Sequence, residues 1–354
     1  MTRVLCDFHH SSLLRSLVML FEDRLGMELY RPIGMEWFEE GYWAINDSED
    51  TARQFLDPGN HYTPKDGTPL LNRIAQKHPR FRPGVYRIEE PGGQNRHYAA
   101  TLEYFKNNQF DYVIASIPAH VEIFKELIRK YQPEAKLIIQ MGNNWAIDNY
   151  PGENVLASIA PQLTSANAYF YHQEFDLDIF HSAPVPTQPA NRKVYSFLNI
   201  IQNSEIGWTD YKELKSILER QGWEFRAYGG QCPDGNMDGP EALADKMREA
   251  MFVFHVKPGG DGFGHIIHNA YAVGRPVITR SSHYKGQLAE QLLVPGTFID
   301  LDKYGRGEVK NMLTRLSHDP TGLMEMGQRA ADQFNKVVNY NKESEEIKQW
   351  LTNL

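Results

Sequence analysis

Between Val256 and Ile278 the sequence reads VKPGGDGFGHIIHNAYAVGRPVI. Gly260, Gly262 and Gly264 allow a backbone to come close to a phosphate. The helix expected from Gly264 to Val273 would turn its first N–H groups and the positive end of its dipole toward an anion. A strand, a glycine-rich loop and a helix start together make a site suited to a diphosphate. A tight turn whose glycines serve packing is the bland alternative. The glycines do not fit G-x-G-x-x-G and lie far from the first strand–helix turn, which excludes a dinucleotide fingerprint.

Three histidine and acid groupings need weighing beside this loop. His9 and His10 follow the first expected strand, Val4–Phe8. Either could orient an acceptor or act as a base, or simply sit in a helix-capping loop. His265 and His268 share a helix face at i, i+3. No third ligand accompanies them, so no metal is expected there and His265 is read as a neighbour of the diphosphate or sugar. Asp176-Leu177-Asp178 has the spacing of a metal-binding D-x-D, but it is better explained as part of a linker motif given below.

From Arg73 to Tyr98 the chain carries Arg73, Lys77, Arg80, Arg82, Arg87 and Arg96 against only Glu89 and Glu90, a net charge of +4. Phe81, Tyr86, His97 and Tyr98 are interleaved. Basic side chains among aromatics can bind phosphate backbones and stack bases. A solvated loop with scattered arginines is the alternative.

The elements that must position these residues follow from length and periodicity. Single cores stop growing near about 250–300 residues, so a chain of 354 residues is expected to have two domains. Net charge is −8, which does not suggest a general nucleic-acid binder. Cys6 and Cys232 cannot build a disulfide framework or a zinc site, and a reducing cytoplasm fits them. The first residues read as a strand, without the pattern of a signal peptide. No apolar run is long enough to span a membrane.

Short apolar runs alternate with amphipathic segments, as in α/β folds with parallel sheets. In the first half the expected elements are a helix over 12–24 stopped by Gly26, a strand over 111–117, a helix over 119–131 and a strand over 136–141. The run Trp43–Tyr98 is expected to be irregular and tied to substrate. Residues 184–192 hold three prolines and are the expected linker. Strands are then expected over 193–198, 224–228, 251–256, 276–280 and 297–301, with helices over 210–220 (Thr209 as N-cap), 240–250, 264–273 and 284–293.

The residues after the linker resemble the donor-binding signature of retaining GT-B glycosyltransferases of the glycogen-synthase-like group. That signature is E-G-F-G, four residues, E-A-M-A, then G-x-P-V. This chain has Asp261-Gly262-Phe263-Gly264, then Asn269-Ala270-Tyr271-Ala272, then Gly274-Arg275-Pro276-Val277. Glu174–Phe180 resembles the G-V-D-x-x-x-F run that leads into the family's interdomain linker. The resemblance covers about residues 170–300. It implies two Rossmann-like domains facing across a cleft, with C-terminal helices returning to the first. The expected bounds are 1–185 for acceptor binding, 186–335 for nucleotide-sugar binding and 336–354 for a helix crossing back.

The resemblance also implies roles. Asp261 stands where a glutamate contacts the donor sugar, and Asn269 where a second glutamate holds the ribose hydroxyls. Gly260, Gly262, Phe263, Gly264 and His265 complete the donor loop. The family's Arg and Lys after the first strand of the second domain are replaced by Asn199-Ile200-Ile201-Gln202-Asn203. Lys257 and Arg280, with Lys285 behind them, are the expected substitutes facing the leaving diphosphate. Retention of anomeric configuration is implied by resemblance, and no metal or other cofactor is required. The expected activity is transfer of a sugar from a nucleoside-diphosphate sugar. The acceptor is either DNA carrying a hydroxymethylated base, as in phage DNA glucosyltransferases, or a glycan or small molecule. A nucleotide-sugar epimerase and a catalytically silent binding module on the same fold are the alternatives.

Overall fold

The computed structural model of the chain describes residues 1–7, 11–32, 85–89, 96–100, 102–142, 152–159, 167–203, 205–258 and 261–354. They form two compact units. One is Met1–Ser158 with Leu163–Phe175 and Tyr340–Leu354, and the other is Asp176–Asn339 with Ile159–Gln162.

In the first unit, apolar four- to six-residue runs become strands because both faces of the sheet are covered. Its elements are β1 (Arg3–Cys6), α1 (Ser11–Val18, continued by a π turn over Met19–Arg24), β2 (Glu28–Pro32), β3 (Val85–Glu89), β4 (Arg96–Ala100) and α2 (Leu102–Asn107). There follow β5 (Tyr112–Ala115), α3 (Val121–Tyr131), β6 (Lys136–Met141), β7 (Asn154–Ala157) and β8 (Asn167–Phe170). The sheet order is β3-β4-β2-β1-β5-β6-β7-β8. β3 runs antiparallel to β4 and the other pairs are parallel. Gly26 turns the chain out of the π turn at φ +65°.

The hairpin β3–β4 corrects the expectation of an irregular run up to Tyr98. Its sequence cues are the alternation Val85-Tyr86-Arg87-Ile88-Glu89 and the turn residues Pro91-Gly92-Gly93. Residues 43–84 and 90–95 lie outside the described residues.

The second unit holds β9 (Lys193–Ser196), α4 (Glu205–Glu219), β10 (Glu224–Ala227), α5 (Gly239–Glu249), β11 (Phe252–Phe254), α6 (His265–Ala272), β12 (Val277–Thr279), β13 (Phe298–Asp300), α7 (Arg306–Ser317) and α8 (Pro320–Val337). Its five-stranded sheet is parallel throughout, in the order β10-β9-β11-β12-β13. Two local expectations are corrected. α4 begins at Glu205, so Thr209 lies inside the helix rather than at its N-cap. Residues 284–293 form no continuous helix. Short 3₁₀ turns cover Ser281–Tyr284 and Leu288–Gln291, and between them Gly286 sits at φ +79°, where a right-handed helix cannot continue.

The chain changes units between Phe175 and Asp176, ahead of the proline-rich stretch. The reason is local. Asp176 Oδ1 accepts the N–H groups of Asp178 and Ile179, and Val185 joins the core of the second unit. Arg275 fixes this segment from behind by donating to the carbonyls of Ala183 and Pro184.

The last helix, α9 (Tyr340–Thr352), belongs to the first unit. Ile347 and Leu351 enter the cluster that contains Leu14, Phe21 and Ile114. Glu343 accepts from the backbone N–H of His172 at 2.8 Å and from its Nδ1 at 2.7 Å, and Glu346 accepts from Tyr169 OH at 2.7 Å.

Candidate functional site

In each sheet the strand order reverses beside the unit's first strand: between β1 and β5 in the first, and between β9 and β11 in the second. Open parallel sheets bind ligands beyond the carboxyl ends of the strands at such points.

At the second reversal, β11 ends at Phe254 and the chain continues through His255 and Lys257. His255 is held by strand-like bonds: its N–H donates to Ile278 O at 3.0 Å, and Thr279 Oγ1 donates to its carbonyl. The ring is therefore fixed under the loop. Its Nε2–H donates to Oδ2 of Asp261, whose Oδ1 receives Lys257 Nζ at 2.7 Å. Tyr284 OH donates to the same Oδ2 at 3.3 Å. The His255 side chain is 0% exposed, that of Asp261 10% and that of Lys257 45%. Burial alone would raise the Asp261 pKa, but the charges of His255 and Lys257, and their hydrogen bonds, hold it below the usual carboxylate range. Burial and the adjacent Asp261 push the Tyr284 hydroxyl well above its ordinary value, so it stays a donor.

The loop then climbs into α6. Gly262 and Gly264 adopt φ of +64° and +81°, conformations in which a side chain is strained. Gly264 is the N-cap, and its carbonyl accepts from His268 Nδ1 at 3.0 Å. Phe263 is buried and stacks on His268 with ring centroids 4.0 Å apart, so it anchors the loop from below. His265 opens the helix, with its ring 4.8 Å from that of Phe263. Asn269 lies one turn further on, buried, and its Oδ1 has no hydrogen-bond partner among the described residues. Ser196 Oγ, at the end of β9, is likewise buried and unpartnered among them. Buried polar atoms without partners are rare and call for an explanation.

Of the residues expected at this site, Asp261, Lys257, Gly262, Phe263, Gly264, His265 and Asn269 thus fall on one loop and helix. Gly260 lies outside the described residues. Arg280, expected at the diphosphate, is paired with two carboxylates. Its Nε and Nη2 close on Asp210 at 2.7 and 3.0 Å, and its Nη1 reaches Asp302 at 3.1 Å. Both Arg280 and Lys257 are thus paired with carboxylates, Arg280 with Asp210 and Asp302 and Lys257 with Asp261 of the loop itself.

His255 and Tyr284 were missed by sequence reasoning. His255 carried one usable signal, a polar residue closing an apolar strand directly before the loop. Tyr284 carried none, because its approach depends on the 3₁₀ turn after β12.

At the first reversal, Asp7 follows β1. Its Oδ2 is hydrogen-bonded to His120 Nδ1 at 2.7 Å, its Oδ1 accepts the Ser116 N–H, and the side chains of Asp7 and His120 are fully buried. This pair ties the ends of β1 and β5 together, just ahead of His9 and His10 in the sequence. Those two residues lie outside the described set, as do Arg73, Lys77, Arg80 and Arg82. Arg87 and Arg96 are placed by backbone register on the β3–β4 hairpin, opposite Tyr98 and Glu89 respectively. Among the described residues no group of three or more His, Cys, Asp or Glu is arranged to hold a metal ion. No helix among them is long and apolar enough to cross a membrane.

Two sheets with this strand order, the second wholly parallel and the first parallel except for β3, place the chain among known structures. Anabaena Alr3699/HepE in complex with UDP is 12% identical, with both chains covered in full and a TM-score of 0.58. TarM of S. aureus is 10% identical over 99% of each chain, with a TM-score of 0.61. The chain has the GT-B fold. A further GT-B structure, an alpha-glucosyltransferase in complex with UDP and a 13-mer DNA containing a central A:G mismatch, is 8% identical over 99% of this chain and 100% of that one, with a TM-score of 0.61. No family model matches the sequence, and no curated protein does. At these identities the likeness concerns the GT-B architecture alone.

Proposed function

We propose that this chain is a glycosyltransferase that takes its sugar from a nucleoside-diphosphate sugar bound by the second unit. The observation that carries this reading is the placement of Asp261. An ionised carboxylate, with Lys257 beside it, sits at the strand-order reversal of the second sheet, on a glycine loop leading into the N-terminus of α6. Glycosyl transfer breaks the bond between the anomeric carbon and the diphosphate, and negative charge grows on the departing phosphate. Lys257 and the first-turn N–H groups of α6 are suited to meet that charge. Asp261 would hold hydroxyls of the sugar, and Asn269, through its unpartnered oxygen, a ribose hydroxyl. Solved GT-B structures that hold UDP and UDP-glucose support the donor class. No metal is invoked, because lysine and helix supply the positive charge. The outcome is retention, as in the group whose signature the loop resembles.

The acceptor we propose is DNA bearing a hydroxymethylated base, bound by the basic segment Arg73, Lys77, Arg80, Arg82, Arg87 and Arg96 of the first unit. The net charge of +4 between Arg73 and Tyr98 favours it. So does the likeness to an alpha-glucosyltransferase solved with DNA. Such chemistry requires the base to leave the stack, and His9 or His10 would orient its hydroxyl.

The test is release of nucleoside diphosphate from a panel of nucleotide sugars, with and without hydroxymethylated DNA. Release that rises with this DNA is the expected result. Turnover indifferent to DNA would keep the transferase and redirect the acceptor to glycans or small molecules. Conversion of the sugar without release would identify an epimerase. Inertness toward every donor would identify a binding module.

A further inference from the structure

The two nitrogen partners of Asp261 differ in kind. His255 is fully enclosed, tied through its backbone to Ile278 and Thr279, and has no room to leave. Lys257 is 45% exposed, on a flexible four-carbon stem. On leaving, the ammonium group regains water, and the cost falls on the buried carboxylate, which keeps its other donors. The two also divide the carboxylate between them. His255 Nε2 and Tyr284 OH both donate to Oδ2, whereas Lys257 is the partner of Oδ1 among the described residues. Departure of Lys257 would leave Asp261 anchored by two donors on one oxygen, with the other oxygen uncovered.

We propose that Lys257 is an exchangeable cation: it covers Asp261 Oδ1 until a nucleoside diphosphate draws it away, and His255 is the positioning residue that keeps Asp261 in place during the exchange. This rests on the donor-site reading above and adds an order of events to it. The diphosphate engages first, because it carries the charge that competes for the ammonium group. Its arrival uncovers Oδ1, which can then accept a hydroxyl of the attached sugar. A sugar without a diphosphate meets an oxygen already occupied. Discrimination against free sugars is thereby built into one residue pair. His255 acts only through Asp261. With its hydrogen bond removed, the carboxylate leans more heavily on Lys257 and gives it up less readily.

Titration calorimetry on the full chain, with UDP, GDP, ADP and TDP as probes, tests this. For the diphosphate that the wild type binds, Asp261→Asn is expected to tighten binding at least 3-fold while abolishing sugar transfer, since an amide holds the ammonium group less strongly. Lys257→Met is expected to weaken binding at least 10-fold. His255→Gln is expected to weaken binding several-fold in the wild-type background and to have no effect in the Asp261→Asn background, a dependence that a merely structural histidine would not show. Asp261→Ser serves as a second variant, with circular dichroism to confirm folding of each. If Asp261→Asn and Asp261→Ser leave binding unchanged or weaken it while Lys257→Met still weakens it, the exchange is wrong and the donor site stands. If no diphosphate binds the wild type, the donor reading fails and the exchange fails with it.

Discussion

Arg280 grips Asp210 through two parallel hydrogen bonds, Nε to Oδ2 at 2.7 Å and Nη2 to Oδ1 at 3.0 Å. The pair joins the end of β12 to α4, and Asp302 adds a third contact from the segment after β13. A guanidinium used in this way is a structural clamp. Replacing it strands Asp210, which is nearly buried. Arg280→Met is expected to lower unfolding free energy by about 2–4 kcal/mol. Lysine should rescue only part of this, having no planar fork. Urea denaturation followed by circular dichroism measures it. A stability change within about 0.5 kcal/mol would return Arg280 to the list of free cations.

Asp261 makes stability depend on acid. Its folded pKa lies below the ordinary carboxylate value of about 3.9. Its ionised form therefore contributes stability that is fully present above about pH 4 and is lost as pH falls through the lowered folded value. The stability gap between wild type and Asp261→Asn should be constant from neutrality down to about pH 4 and should narrow below it. Paired denaturation curves across that range read the gap directly, and a gap independent of pH would mean that Asp261 is not held as an anion.

Gly264 carries the turn into α6 at φ +81°. An added Cβ would strain that left-handed backbone and would stand 3.1 Å from the Cβ of Ala289. Gly264→Ala is expected to cost about 1–3 kcal/mol. Donor binding should suffer beyond the loss of stability, because the carbonyl of this residue fixes His268 and the start of the helix. Binding measured well below the melting temperature separates the two effects.

Arg275 is buried, and among the described residues it has no acidic partner. It donates to the carbonyls of Ala183, Pro184, Arg248, Val273 and Gly274. Burial, and then the charge of Arg248, lower its pKa to about 10. Arg275→Met leaves those carbonyls unmatched and is expected to cost about 3 kcal/mol or more. Hydrogen exchange should quicken first around Ala183–Val185, the segment it clips down. Unchanged protection there would show that the hydrophobic contacts of Val185 suffice.

The α/β class and the units of the parallel sheets were legible in the sequence. Buried parallel strands are written as short apolar runs, and glycines mark where helices stop. Lys136–Met141 could be read to the residue for that reason. So could the gathering of Gly262, Gly264 and Asn269 on one loop and helix, since neighbours in sequence must be neighbours in space. The hairpin β3–β4 escaped because its alternation lies inside a segment dominated by turn residues. The stretch 284–293 misled because its apolar spacing suits a helix while Gly286 interrupts it.

What the tertiary structure decided were the partnerships between distant elements. Local sequence cannot say that Arg280 will meet Asp210, 70 positions away, before it meets a phosphate. Nor can it say that Tyr284 will reach Asp261 from the far side of β12. A charge is free or spent according to what the fold brings within about 3 Å of it. In this chain that criterion pairs Arg280, expected at the diphosphate, with Asp210 and Asp302. It left Asp261, with His255 below and Lys257 above, as the centre of the candidate site.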